Sequence, residues 1–491
     1  MKTRLTEDNT VITAVAGEQE NNCHRQWWKD SGLTELNLRL LPIFLSPVMI
    51  GYDGALIGGL LTIPQCRCTL TMPLDTNLTG IMVAGYSIGG ALMFWVVSLL
   101  GDIVGRRKVI MIGDAVMIAT AVGQTFCYDA RLYVMTRFLM GVGGITIVCL
   151  GPVLLTELAH PRQRGSLVAT YSSFFYVGAT ASAWFTYGSL HLKSEWSWRL
   201  PVAVQVVPPL LQLPLMMLVP ESPRWLVAKG DATKARRILA KYHANGFESD
   251  QLVQAEYDQI CCSLENEKHQ QKASWLAFFQ TAGNRKRLFI VVVTSLMSQW
   301  SGGGIITYYF AAALKSVGIR QPLQQAGING GLQTFNFVIA LLSATIVDKV
   351  GRRVLFIFST VTMLLAMVGL TVATQQFSVT SRSEAGSAVV VMFFIFQFGF
   401  DSGYAPLGTT YLAEICPFYL RAKAVALHYF ITMASAAAGQ YANPVAMADL
   451  GWKYYLVYVS ILLVGLVVAW ISFPETKGYT VEEITKIFDT N

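Results

Sequence analysis

Charge is scarce in this chain. Of 491 residues only 14% are Asp, Glu, Lys or Arg, against roughly 25% in an average soluble domain, while 53% are hydrophobic. That balance excludes a water-soluble globule. The eight cysteines form no CxxC pair and have no histidine at zinc spacing, which argues against a metal site. Cys66 and Cys68 fall in a loop placed outside the membrane, and a disulfide from that loop to Cys127 is the alternative to free, small apolar side chains, which the sequence favours. A nucleophile with its base, a phosphate loop and a basic stacking platform are missing too. GDIVGRR at 101 lacks the GxxxxGK pattern of a nucleotide cradle. An enzyme and a nucleic-acid partner therefore have no support, and no cofactor is expected. Residues 1–36 lack the apolar core and small-residue cleavage site of a signal peptide and read as a cytoplasmic tail.

What the chain does have is glycine, 41 residues, and proline, 17. Both are more frequent in membrane helices than in soluble ones. Apolar runs centre near residues 50, 89, 118, 143, 178, 208, 300, 336, 364, 398, 433 and 462, each long enough to span a bilayer with about 20 residues. The expectation is an all-α membrane protein of twelve transmembrane helices, both termini on one side. Counting Lys and Arg puts about 28 on the side of the tails and about 8 on the other, which makes the termini cytoplasmic; short loops alone give about 10 against 8. The expected divisions are a tail over 1–36, a six-helix bundle over 37–218, a cytoplasmic linker with short helices over 219–286, a second bundle over 287–473 and a tail over 474–491. Within the linker, ATKARRILAKYHANG has helical spacing with a basic face. The sequon at Asn77 abuts the second span, too close to the membrane for glycosylation.

The chain repeats itself. GDIVGRRKV at 101 recurs as VDKVGRRVL at 347, Glu157 before Arg164 recurs as Glu414 before Arg421, and PESPRWL at 220 recurs as PETKGYT at 474. The offsets of 246, 257 and 254 residues are about half the chain, and each pair occupies the same loop of its half. Two parallel six-helix repeats describe a transporter that rocks around a midplane site.

Together with GYD at 51, these motifs resemble the sugar porter family of the major facilitator superfamily, over residues 40 to 485. QWSGGGIITYY at 299 and NPVAMADLGWKYYLVY at 443 are similar to the fungal branch with lactose and cellodextrin permeases. The resemblance implies sugar transport by alternating access, with Asp53 of GYD as proton carrier. It also implies that ion pairs among Asp102, Arg106, Arg107, Glu157 and Arg164, and among Asp348, Arg352, Arg353, Glu414 and Arg421, latch the cytoplasmic face. The chain departs from the family where Gly303 and Gly304 replace an asparagine, Tyr404 a tryptophan, Ser172 a glutamine, and Thr432 and Met433 a Gln-Trp pair. A pocket with fewer amides is expected to hold a hexose less firmly.

From the residues themselves, Asp53 and Arg137 each sit inside a span, where a charge costs about 2.5 to 3.5 kcal/mol. They are expected to meet. Paired, Asp53 stays ionised; parted from its cation in an apolar cleft, it takes up a proton. Asp401 is a second carboxylate inside a span, and Pro406 is expected to break the tenth helix; Asp114 reads as structural. For the substrate pocket the expected residues are Gln299, Tyr308, Tyr309, Gln333, Asn336, Asp401, Tyr404 and Asn443, amides for hydroxyls and aromatic faces for a ring. The function expected is import of a sugar or related polyol with protons by a monomer in the plasma membrane. A facilitator or exporter of a fungal metabolite is the second reading. A nutrient sensor would need a long signalling tail, and only about 18 residues follow the last span.

Overall fold

The structure, a computed structural model, describes residues 24, 26–66, 76–270, 275–479, 483–484 and 488. Among these residues all regular structure is helical, as a lipid solvent demands of a chain that satisfies its own backbone polar groups. The twelve expected spans are present. They run over Leu45–Leu60, Thr76–Val104, Arg106–Thr125, Ala130–Leu158, Arg164–Ser189, the pieces Trp196–Val204 and Val207–Met216, then Ala282–Trp300 continued by Gly303–Tyr308 and Phe310–Ser316. Pro322–Val350, Arg352–Thr380, Ser383–Ser402 with Tyr404–Ile415, Phe418–Leu450 and Tyr454–Ser472 complete the second half.

Nine helical stretches among the described residues are long and apolar enough to cross a membrane, one of them joining the last two spans. The fifth span, rich in Ser, Thr and Tyr, falls outside that set. In the eighth, Gln325, Asn329, Gln333 and Asn336 recur at helical spacing and all are buried, so this face looks inward.

Each half has its own core. One cluster gathers Ile290, Phe310, Phe356, Phe393, Tyr411 and Leu462 from the second half; another gathers Leu40, Ile110, Met140, Leu154 and Met216 from the first. A third cluster joins the two, with Tyr309 of the second half among Tyr52, Leu56, Ile57 and Trp198 of the first. The turns between the second and third spans and between the eighth and ninth are copies: Gly105 has φ 109 and ψ 146, Gly351 has φ 103 and ψ 149. A side chain there would be strained by the backbone and would also meet Glu221 at 2.6 Å or Glu475 at 2.8 Å.

The linker is folded over most of its length. Ala232–His243 is capped by Asp231, whose side chain accepts from the Lys234 N–H, and buries Ala235, Leu239 and Tyr242. It ends in a 6→1 bond from Gly246 N–H to the Ala240 carbonyl, 2.8 Å. A further helix, Ser31–Leu40, straddles the expected end of the N-terminal tail and joins the linker through Lys241 and Glu35 at 2.8 Å. Cys66 and Cys127 are both buried and not joined by a disulfide, so that alternative is not met; Cys68 lies outside the described residues. Asn77 lies in the first turn of the second span and accepts from the Tyr441 hydroxyl at 3.4 Å.

Two breaks shape the middle of the molecule. The seventh span unwinds at Ser301 and Gly302, the latter at φ 108. The tenth breaks at Gly403, φ −135 and ψ −66. Pro406, expected to mark a break, sits three residues on in the first turn of Tyr404–Ile415; lacking an N–H, it cannot bond the Ser402 carbonyl as a continuous helix would require.

Candidate functional site

Asp53 and Arg137 meet, as their cost in lipid requires. Arg137 Nη1 donates to Asp53 Oδ1, and the residues are 2% and 3% exposed. The guanidinium also lies 5.4 Å from the Tyr86 ring centre, on the aromatic face. A charge pair this deeply buried loses its hydration, so each partner depends on the other.

Immediately beside Asp53, Gly54 and Ala55 form one wall of a cavity of about 200 Å³ between the halves. Phe175, Tyr176 and Ala179 of the fifth span complete the first-half wall. The second half supplies Gln299, Gly303, Gly304, Thr307 and Tyr308 from the broken seventh span, Gln333 and Asn336 from the eighth, and Gln397, Phe400 and Asp401 from the tenth. Unwinding at Gly302 lets Gln299 and Tyr308 reach one space. Its lining is four amides, a carboxylate, two tyrosine rings and two phenylalanine rings, a set able to bond hydroxyls and to stack on an apolar ring face. A larger hollow of about 580 Å³ at Tyr187, Leu323 and Phe394 is open to the surface and lined by no Asp, Glu, Lys or Arg; we assign it no chemistry.

Five of the eight expected pocket residues line the cavity: Gln299, Tyr308, Gln333, Asn336 and Asp401. Tyr309, Tyr404 and Asn443 are not among the lining residues. Tyr309 is turned away to donate to the Gln440 carbonyl at 2.5 Å. Tyr404 packs on Phe356 with its hydroxyl 3.2 Å from Thr360. Asn443 accepts from the hydroxyls of Tyr454 at 2.8 Å and Tyr458 at 2.5 Å. Sequence reasoning missed Gln397, Tyr176 and the two phenylalanines. The loss of amides expected from Gly303 and Gly304 is therefore offset by Gln397.

Polar rungs cross between the halves beside the cavity. Tyr176 donates to Asp401 Oδ1 at 2.8 Å, Thr180 to the Gln333 carbonyl at 3.1 Å and Trp184 to Thr334 at 3.0 Å. These three lie on one face of the fifth span, four residues apart, and climb away from the linker. On the opposite flank Ser87 donates to Gln440 at 2.9 Å.

At the linker end, the repeated motifs build the same device twice. Arg106 lies 3.0 Å from Asp102 and 3.4 Å from Glu157; Arg352 lies 3.2 Å from Glu414. Glu221 accepts from the Arg107 N–H at 3.2 Å, and Glu475 from those of Arg352 and Arg353 at 2.8 and 3.1 Å, each at a helix N-terminus. Burial pushes the Glu475 carboxyl up, but backbone N–H donors from Lys477, Arg352, Arg353 and Thr476 outweigh it and hold the group below its ordinary value. Arg107 donates to the Val219 carbonyl at 2.9 Å, Arg353 to that of Trp470 at 2.5 Å. All these bonds join elements of one half. Glu157 pairs with Arg106, while Arg164 donates to the Ala159 carbonyl at 3.5 Å. Arg421 stands in the first turn of the eleventh span. Asp348 lies near the end of the eighth, its side chain outside the described residues.

Comparison with known proteins agrees with the fold. The chain is 27% identical over 91% of its length to the MFS-type transporter criB of Aspergillus cristatus, 91% of which is covered. It is 28% identical to hexose transporter 2 of Kluyveromyces lactis, covering 85% of this chain and 75% of the relative. It is likewise 28% identical to the galactose transporter of Saccharomyces cerevisiae, covering 92% and 81%. Its fold is similar to the inward-open xylose transporter XylE of E. coli, with a TM-score of 0.77 at 23% identity over 92% of this chain and 99% of that one. It is a multi-pass membrane transporter rather than an enzyme. The family model for "Sugar (and other) transporter" matches residues 38–488, and the chain belongs to that family.

Proposed function

We propose that this protein imports a monosaccharide or a polyol of similar size by alternating access, driven by protons through Asp53 and Arg137. The observation that carries the reading is the adjacency of the buried Asp53–Arg137 pair to an amide-lined cavity, through Gly54 and Ala55. A solute entering between the halves bonds Gln299, Gln333, Asn336 and Gln397 and stacks on Tyr308 or Phe400. Movement of the first and fourth spans then separates carboxylate from guanidinium, and the freed Asp53 exchanges its proton with the open side.

Size supports a small solute. A cavity of about 200 Å³ is below the roughly 300 to 1,000 Å³ typical of drug-sized ligands, which weighs toward a monosaccharide and away from the disaccharides suggested by the resemblance to lactose and cellodextrin permeases. Tyr309, Tyr404 and Asn443 then hold the broken helices in place behind the cavity. The paired devices at Arg106 and Arg352 keep each half rigid while the halves rock. The termini are cytoplasmic, the membrane is the plasma membrane and the unit is a monomer in this reading.

The test is uptake of labelled glucose, xylose, lactose and cellobiose by transporter-deficient yeast expressing the chain or its Asp53→Asn variant, with and without a protonophore. Uptake of a monosaccharide that collapses in both arms supports proton-driven import. Uptake indifferent to both replaces it with facilitation. No uptake of any sugar by protein shown to be at the cell surface overturns sugar import and favours export of a fungal metabolite.

A further inference from the structure

We propose that Asp401 determines specificity, admitting uncharged or cationic polyhydroxylated solutes and excluding acidic ones. The proposal rests on the reading of the cavity as a sugar site and deepens it.

Among the residues lining the cavity, Asp401 is the only Asp or Glu, and no Lys or Arg stands there to balance it. It is 2% exposed. One carboxylate oxygen accepts from Tyr176; the other, Oδ2, has no hydrogen-bond partner. Asn336, also 2% exposed and also on the cavity, has its amide oxygen without a partner. Buried acceptors left unfilled call for donors. The second-half wall therefore has two acceptors to fill, and a solute with hydroxyl or ammonium hydrogens fills them. An ammonium group gains a carboxylate and the rings of Phe175, Phe400, Tyr176 and Tyr308 as well. A solute carboxylate brings acceptors without hydrogens to a wall that already holds two unfilled acceptors, and among the lining residues it finds no cation, a penalty of about 100-fold or more in affinity.

Because Tyr176 belongs to the first half and Asp401 to the second, the same acceptor is shared between the solute and the innermost rung across the halves. Recognition and the tie between the halves meet at one side chain.

The experiment measures binding of D-glucose, D-glucosamine and D-glucuronate to the purified full chain at pH 7.5, for wild type, Asp401→Asn and Asn336→Ala. The wild type is expected to bind glucosamine at least as well as glucose and glucuronate about 100-fold more weakly. Asp401→Asn keeps an acceptor for Tyr176 but puts an N–H donor where the unfilled acceptor stood, and it should narrow the glucose-to-glucuronate gap to about tenfold or less. Asn336→Ala should weaken all three probes by a similar factor, about tenfold, and leave the gap unchanged. Glucuronate within tenfold of glucose in the wild type overturns the proposal, and that result needs no variant to fold. An unchanged gap in a folded Asp401→Asn overturns it equally. Failure of all three probes to bind overturns the sugar reading itself, and this proposal with it.

Discussion

Removing Arg137 tests the buried pair most sharply. In Arg137→Met the Asp53 carboxylate, 2% exposed, loses the cation bonded to it, while a flexible apolar chain fills the space. Breaking one partner of a buried pair costs about 3 to 5 kcal/mol, and a lone charge in mid-bilayer costs about 2.5 to 3.5 kcal/mol. Both routes give about 3 kcal/mol. Asp53→Asn strands Arg137 at a similar cost. The double variant Asp53→Asn with Arg137→Met buries no charge and should lie within about 1 kcal/mol of wild type, a coupling of roughly 5 kcal/mol. By the size scaling of melting, 1 kcal/mol is worth about 1 to 2 °C in a chain of this length, so each single variant should melt roughly 3 to 6 °C low and the double variant close to wild type. The assay is thermal unfolding of the purified chain in one detergent at one scan rate. A double variant that falls by the sum of the singles would refute the pairing argument.

Three further outcomes follow from the geometry. Gln299→Ala removes an amide from the unwound part of the seventh span, and sugar affinity should fall about tenfold with the melting point kept, read by equilibrium binding. Glu475 has a depressed folded-state pKa, so its stabilisation is present above the unfolded value of about 4.3 and is lost as pH falls through the folded one; Glu475→Gln should melt lower than wild type at pH 7 and converge with it in acid. His160, which burial and the neighbouring His243 bring down to about 4, is neutral in the folded chain. Its contribution is complete above pH 6.5 and lost between about 6.5 and 4; His160→Asn should flatten the melting curve across that window.

Much of the architecture was legible in the sequence because lipid leaves few alternatives. The apolar runs mark the spans, and the repeat at offsets near 250 residues reappears as Gly105 and Gly351 in the same backbone conformation. The Asp53–Arg137 pair followed from cost alone. The cavity was less legible, because residue type does not say which face of a helix a side chain occupies. Tyr308 and Tyr309 are adjacent and about 100° apart around the helix, so when one lines the cavity the other points at Gln440. Asp401 and Tyr404 would share a face in an unbroken helix, but the break at Gly403 turns Tyr404 into the core. Gln397, one turn before Asp401, was within reach of that same periodicity. Tyr176 was not, since its importance comes from a partner 225 residues away. Glu157 finds Arg106 rather than Arg164 because the end of the fourth span faces the turn after the second.

The central claim is that sugar and proton move together through Asp53. The most direct measurement is proton uptake on adding D-glucose, D-xylose or D-galactose to proteoliposomes containing the full chain and a trapped pH dye, with no imposed gradient. The account predicts acidification of the lumen with at least one of these sugars, and none with Asp53→Asn although that variant still binds and exchanges the sugar. Sugar entry without acidification, or acidification that persists in Asp53→Asn, would contradict it.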